Sequence, residues 1–468
     1  MTTAARPSSS RLAASMTSPT TARVRAEALL HRAGSSRARS GLAAAASRTL
    51  LLRLLARMTS DRLDVIDLDG SRHVFGWPDG PRIGSAPDEY GVGASDPEGE
   101  MLKATLEILD ERAWTAVITE GSIGLGRGYV EGWWASDDPT ALVRIIIRNL
   151  RHLDELRNRV ESVTGGFGNR IRRALPRPNR ATNREDIASH YDLGNEFFEL
   201  FLDETMTYSS AVFTDPTTDL SAASEAKYDR LLAKLGVTAE HHVLEIGTGW
   251  GGFARRAAET VGCRVTTTTL SAEQQREAES RISAAGLDDR VTVLGRDWRD
   301  LTGQFDRIVS IEMIEAVDWR DYNRFFATID RCLAPDGLVG LQAICVPERR
   351  YERTKKTEDF IRRFVFPGGF LPSIGAIIRA TARVGTLQLI DLEDSSHHYA
   401  ETLRRWRIRF DEHLPAVEAL GLDERFCRLW RFYLCYCEAG FLERHCTVNQ
   451  IVLAGPDWRP DGLTLRPH

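Results

Sequence analysis

No run of eighteen apolar residues occurs in the 468-residue chain, so no segment reads as a bilayer-spanning helix. The apolar stretch nearest the start, GLAAAASRTLLLRLLARM, is broken by Arg48 and Arg53 and has neither a clean signal-peptide core nor a cleavage site, so secretion is not expected. Cysteine is sparse: there are seven, with no CxxC pair, and Cys435 and Cys437 stand too close for zinc spacing. Buried, reduced thiols of a cytosolic protein are expected, and no metal site. Positive charge is not in excess either. A net charge of −5 argues against a general nucleic-acid binder.

What remains is an ordinary globular composition, 42% apolar and 27% charged, in a chain long enough for two or three domains. Residues 1–58, rich in Ala, Ser, Thr and Arg, are expected to be disordered or to reflect a start codon set too early. The alternative for 42–57 is a basic amphipathic helix lying on a membrane. A small domain over 59–155 follows, with strand-like runs around Asp69-Gly70 and Asp79-Gly80, a helix near Met101–Ala113, and the glycine-rich GSIGLGRGYVEGWW feeding another helix. An arginine-rich linker spans 156–183. From 184 to 456 strand signals (HVLEIG, CRVTTTTL, VTVLG, FDRIVSIE, GLVGLQAICV) alternate with amphipathic helices. That order predicts a mostly parallel sheet covered on both faces, with ligands beyond the carboxyl ends of its strands. Residues 457–468 form a tail.

The stretch VLEIGTGWGGFA, 243–254, turns a strand into a helix through glycines. A phosphate-cradling loop would need Lys-Ser or Lys-Thr after them, and none follows. A nicotinamide site would need a carboxylate at the end of the second strand, where TTTTLSAEQQ offers threonines instead. S-adenosylmethionine fits better. Its zwitterionic end needs close backbone approach at Gly247, Gly249 and Gly251, and an acidic residue, Glu245, to answer the ammonium or order the loop. Asp297 is placed to accept from the adenine amino group, and Trp298 offers a flat face for stacking. Thr269, Leu270 and Gln274 complete the pattern. Glycines serving only a tight turn are the plain alternative.

Laid in order, HYDLGNEFFELFLDETMTYSSAVF (190–213), VLEIGTGWGGFA, TTTTLSAEQ, RDWRDL, SIEMIEAV (310–317), LQAICV (341–346), FVFPGGFLPS (364–373) and HHYAETLRRW (397–406) resemble the cyclopropane-fatty-acyl-phospholipid synthase family. GRGYVEGWW (126–134) resembles the small N-terminal domain of its longer bacterial members. The resemblance implies an α/β fold, a Rossmann-like class I methyltransferase with a seven-stranded sheet and a helical lid, plus a small N-terminal α+β domain. It implies methyl transfer from S-adenosylmethionine to a cis double bond of a phospholipid acyl chain. Proton loss from the new methyl gives a cyclopropane; loss from a neighbouring carbon leaves a methylene or methyl-alkene branch, as on the way to tuberculostearate-type chains.

The resemblance further implies bicarbonate as the base, held by Ser210, Glu315, Gln342, the Ile344 backbone and Tyr399. Ser210 stands where cysteine is typical, Gln342 where histidine often is, and Ala316 where many relatives have histidine. A thiol nucleophile at 210 is thereby excluded. Tyr208 and Ser209 would meet the donor's carboxylate end, and His190 belongs to the lid. Phe364, Phe366 and Phe370 would line an acyl channel or simply pack. The expected setting is cytoplasmic, peripheral on the inner face of the cell membrane, docking through the small domain and the basic linker. The resemblance also suggests a homodimer. A nicotinamide oxidoreductase and a non-catalytic lipid-binding protein are the rival classes.

Overall fold

In the computed structural model, residues 43–58, 60–76, 101–149 and 193–460 are described. The linker at 156–183 and His190 fall outside them. Structure begins earlier than expected. Residues 43–55 are helical, and Leu55 and Met58 enter a core that Leu51 and Leu52 flank. The expectation of disorder up to residue 58 is therefore corrected for 43–58. The membrane-lying alternative loses its apolar face as well, because those leucines pack inward.

The small domain carries a four-stranded sheet ordered β2-β1-β3-β4. Strands β1 (Arg62–Ile66) and β2 (Arg72–Gly76) form a hairpin, closed at Asp69-Gly70, where Gly70 takes φ 78°. The helix expected near 101–113 is instead strand β3 (Lys103–Ile108), parallel to β1. Its buried and exposed residues alternate, a period of two that suits a half-covered sheet. Strand β4 (Trp134–Ser136) completes the sheet. Helix Ser122–Val130 holds the glycine-rich segment, and a Cβ at Gly126 would lie 2.1 Å from the Phe360 ring. That glycine permits close packing on the second domain.

The second domain is built on a seven-stranded sheet ordered β10-β11-β9-β8-β5-β6-β7. Strands β5 (His242–Ile246), β6 (Arg264–Thr268), β7 (Val291–Leu294), β8 (Phe305–Ile311) and β9 (Leu333–Cys345) run parallel. Strand β10 (Gln388–Asp394) forms the edge, and β11 (Thr447–Ala454) lies antiparallel between β9 and β10. This is the expected mostly parallel sheet of a class I methyltransferase. Connections from β5 go to one side and those leading to β8 to the other, so the carboxyl end of β5 is the topological switch point. Helices 220–234 and 252–260 pack on one face, 322–332 and 374–384 on the other.

Helices Ser396–Glu412 and Glu424–Leu442 form the roof. Their apolar sides do not close a core of their own. Trp430, Tyr433 and Phe441 share one continuous core with Phe197, Phe198 and Phe201, and with Leu63, Trp134 and Leu142 of the small domain. The seam is pinned by Arg144 to Glu443 at 2.7 Å and Arg148 to Glu443 at 2.9 Å.

Candidate active site

Strand β5 delivers the glycines to the switch point. Gly247 has φ 107° and Gly251 φ 85°, states that residues with a Cβ rarely adopt. A Cβ on Gly247 would stand 3.1 Å from Met313, so the loop lies directly against the segment after β8. Glu245 is buried, and its Oε2 accepts from Thr267 Oγ1 at 2.6 Å. Thr267 in turn meets Thr248 Oγ1 at 2.7 Å. Of its two expected roles, Glu245 thus visibly performs the ordering of the loop. Burial, with only partial relief from Thr267 and Lys227, pushes its carboxyl up to about 8. After β6, Thr269 Oγ1 donates to Gln274 Oε1 at 2.8 Å, and Ser271 caps helix 272–284. Leu270 sits between them in the same turn. The strand-end position, the left-handed glycines and the locked second loop fit a bound S-adenosylmethionine.

Asp297 and Trp298 are occupied differently from the expectation. Both carboxylate oxygens of Asp297 hold Arg299, from its backbone N–H and its guanidinium, each at 2.9 Å. The Trp298 ring is in the core, edge-on to Phe325, with the Arg299 guanidinium 4.6 Å from its centroid.

The five residues expected to hold bicarbonate do converge, around a side chain that sequence reasoning passed over. Glu312, at the end of β8, accepts from the Ser210 backbone N–H at 2.8 Å and from Gln342 Nε2 at 2.8 Å. The Tyr399 hydroxyl hydrogen-bonds to it as well. Gln342 is fixed in its turn: its Oε1 accepts from Gln450 Nε2 at 3.1 Å across the β9–β11 register. The other Gln342 amide hydrogen goes to Ser210 O at 3.2 Å, and the Ser210 hydroxyl donates to Ala211 O at 3.1 Å. Ile344 N–H donates to Glu315 Oε1 at 2.5 Å. Every donor assigned to bicarbonate is therefore engaged, three of them by the Glu312 carboxylate. A further anion beside the buried Glu312 and Glu315 carboxyl groups does not fit this donor set.

Glu312 has φ 48°, a left-handed conformation costing roughly 1–2 kcal/mol for a residue with a Cβ. Its three hydrogen bonds and the Glu312 N–H to Gln342 O bond of 2.7 Å hold it there. Burial raises its carboxyl above the ordinary range, opposed by Lys227, Gln342, Ser210 and Tyr399. Lys227 is the second residue missed. Fully buried, it donates to Ser209 Oγ at 2.6 Å and faces Glu312, Asp203 and Glu245; burial lowers its ammonium to about 8. Gln450 is the third. Glu312 sits inside the SIEMIEAV segment, and a carboxylate directly after a parallel strand was the available signal. Lys227 and Gln450 lie outside every motif.

Glu315 is pushed up to about 8 by burial and by the Glu312 charge, and its Oε2 is buried without a partner among the described residues. The folded state keeps a proton that the unfolded chain releases near 4.5. This group's stabilisation is full below that pH and is lost as pH rises through about 8. The difference in melting temperature between Glu315→Gln and the parent should therefore grow in the variant's favour from pH 5 to pH 9. A difference independent of pH would contradict a protonated Glu315.

Tyr208 meets the Tyr433 hydroxyl at 2.9 Å and leans on Trp406; Ser209 faces Lys227. The phenylalanines of FVFPGGFLPS do not form one wall. Phe364 and Phe366 flank the roof core, Phe366 edge-on to Tyr433, whereas Phe370 belongs to the core beneath the sheet, against Tyr351. Phe366 thus meets, edge-on, the tyrosine that Tyr208 hydrogen-bonds.

Residues 179–451 match the family model described as mycolic acid cyclopropane synthetase. The tuberculostearic acid methyltransferase UfaA1 of Mycobacterium tuberculosis is 44% identical over 79% of this chain and 87% of its own. The cyclopropane-fatty-acyl-phospholipid synthase of Escherichia coli is 33% identical over 75% and 88%. Among solved structures, the mycolic acid cyclopropane synthase CmaA1, complexed with SAH and CTAB, superposes with a TM-score of 0.55 at 30% identity, over 60% of this chain and 99% of that one. With this fold, this glycine loop and these relatives, the chain is an S-adenosylmethionine-dependent lipid methyltransferase and belongs to the mycolic acid cyclopropane synthetase family.

Proposed function

We propose that the enzyme adds a carbon from S-adenosylmethionine to the cis double bond of an unsaturated acyl chain in a phospholipid. The observation that carries this reading is the contact between the glycine loop and the segment bearing Glu312, under an aromatic roof. A methyl donor and a proton acceptor are thereby set side by side in a nearly dry site, which a weak alkene nucleophile and a carbocation require.

For the product, the higher identity to the tuberculostearic acid methyltransferase, 44% against 33% for the cyclopropane synthase, favours a 10-methylene branch of the tuberculostearate type. The cyclopropane ring is the second reading. Purified enzyme incubated with S-adenosylmethionine and oleoyl-phospholipid vesicles should release S-adenosylhomocysteine and yield a chain one CH₂ unit heavier. Both products share that mass, so proton NMR decides: terminal alkene signals mark the methylene branch, upfield ring signals the cyclopropane. Tight NADH binding without donor binding would end the reading.

The substrate lies in a bilayer, while no helix among the described residues is long and apolar enough to cross one. The protein therefore works peripherally in this reading, on the inner face of the cell membrane. The small domain is the docking side, supported by the exposed Leu68, Val74 and Leu109. Vesicle sedimentation should weaken when Leu68 and Val74 are both replaced by serine, with turnover on detergent-dispersed lipid preserved.

A further inference from the structure

We infer that the Glu312 carboxylate is the base that removes the proton from the alkylated acyl chain, taking by a side chain the place expected for bound bicarbonate. The inference rests on the methyl-transfer reading and adds the identity of the proton acceptor. Four observations converge on it. The carboxylate occupies the donors of Ser210, Gln342 and Tyr399. Its neighbour Met313 lies where a Cβ on Gly247 of the donor loop would come within 3.1 Å of it. Its backbone is held left-handed at φ 48°, where strain in a site is retained only if the surroundings over-determine it. The Gln342 amide is oriented by Gln450 so that its NH₂, not its oxygen, faces Glu312.

The electrons balance without an outside reagent. The alkene π pair forms a bond to the methyl carbon of the sulfonium. The carbon–sulfur pair leaves with sulfur, and a carbocation remains on the chain. Glu312 then takes one proton. The released C–H pair either closes a third carbon–carbon bond, giving the ring, or, after a hydride shift onto the cation, forms the double bond of a methylene branch. Glu315, protonated at neutral pH, adds no second negative charge, and buried Lys227 offsets the one that Glu312 carries before proton uptake.

The test begins with the unaltered protein. Turnover of oleoyl phospholipid should be the same in bicarbonate-depleted and bicarbonate-supplemented buffer. Glu312→Gln should lose at least about 100-fold in turnover, the scale of a removed general base, while binding S-adenosylmethionine as tightly as the parent. Glu312→Gly suits the left-handed backbone and empties the cradle; it should be inactive alone and regain turnover when formate or bicarbonate is added. Turnover of the parent that collapses on bicarbonate depletion and returns on addition would overturn the assignment. So would a Glu312→Gly variant at full rate without any small anion. Failure of the parent to methylate any unsaturated lipid is a different result: it removes the functional reading itself, and the base with it.

Discussion

Lys227→Met should lower the unfolding free energy by about 3–5 kcal/mol at pH 8, the cost of leaving buried charges without their partner. The ammonium is fully buried and faces Glu312, Glu245 and Asp203, three carboxyl groups inherited from three different elements. Methionine matches its length and keeps the packing, so the loss reports charge rather than a cavity. The pH dependence separates the two accounts. Below the raised value of Glu245, about 8, its carboxyl is protonated and needs no cation, so the deficit should shrink towards pH 5. Chemical denaturation at several pH values measures this. A deficit constant across the range would assign it to packing, and the electrostatic description of the site would fail.

Trp430→Ala should cost about 3–5 kcal/mol, as deletions of large buried aromatics do. Its ring is 3% exposed and touches Phe197, Phe198, Phe201, Phe426 and Tyr433. The cluster it anchors runs unbroken into the small domain, so the whole described chain should melt earlier in a single transition. Two separated transitions in the parent, only one of them moved by the substitution, would mean that the small domain stands on a core of its own. Because Tyr208 and Phe366 both meet Tyr433, the same variant should weaken turnover beyond its effect on folding.

Much of this was legible beforehand. The mostly parallel sheet followed from alternating strand and helix signals, its seven strands from the family resemblance, and the donor loop from Glu245 and the glycines. Ser210, Glu315, Gln342, Ile344 and Tyr399 were brought together as the motifs implied. The failures have physical causes. KATLEI lies in the stretch expected to be helical, yet pairing with β1 fixed a period of two. Residues 43–58 offered a helix only as a membrane-lying alternative, because their partners, the small sheet and its helices, come later in the chain. Glu312 was hidden by Glu315 three positions on. Only the spatial convergence of Ser210, Gln342 and Tyr399 from distant segments distinguishes the two carboxyl groups. Lys227 is a helix lysine like any other in sequence, and its burial is decided by β5 and β8.

The position of Gln450 has a bearing on biosynthesis. It lies on β11, which is threaded between β9 and β10 after nearly every other element has been made. Until that strand slots in, the Gln342 oxygen lacks the Gln450 donor that orients its amide, and Glu312 lacks a settled neighbour. A ribosome-tethered chain halted before residue 447 should therefore hold most of its architecture yet perform no chemistry, so that catalytic competence arrives as one of the last events of synthesis.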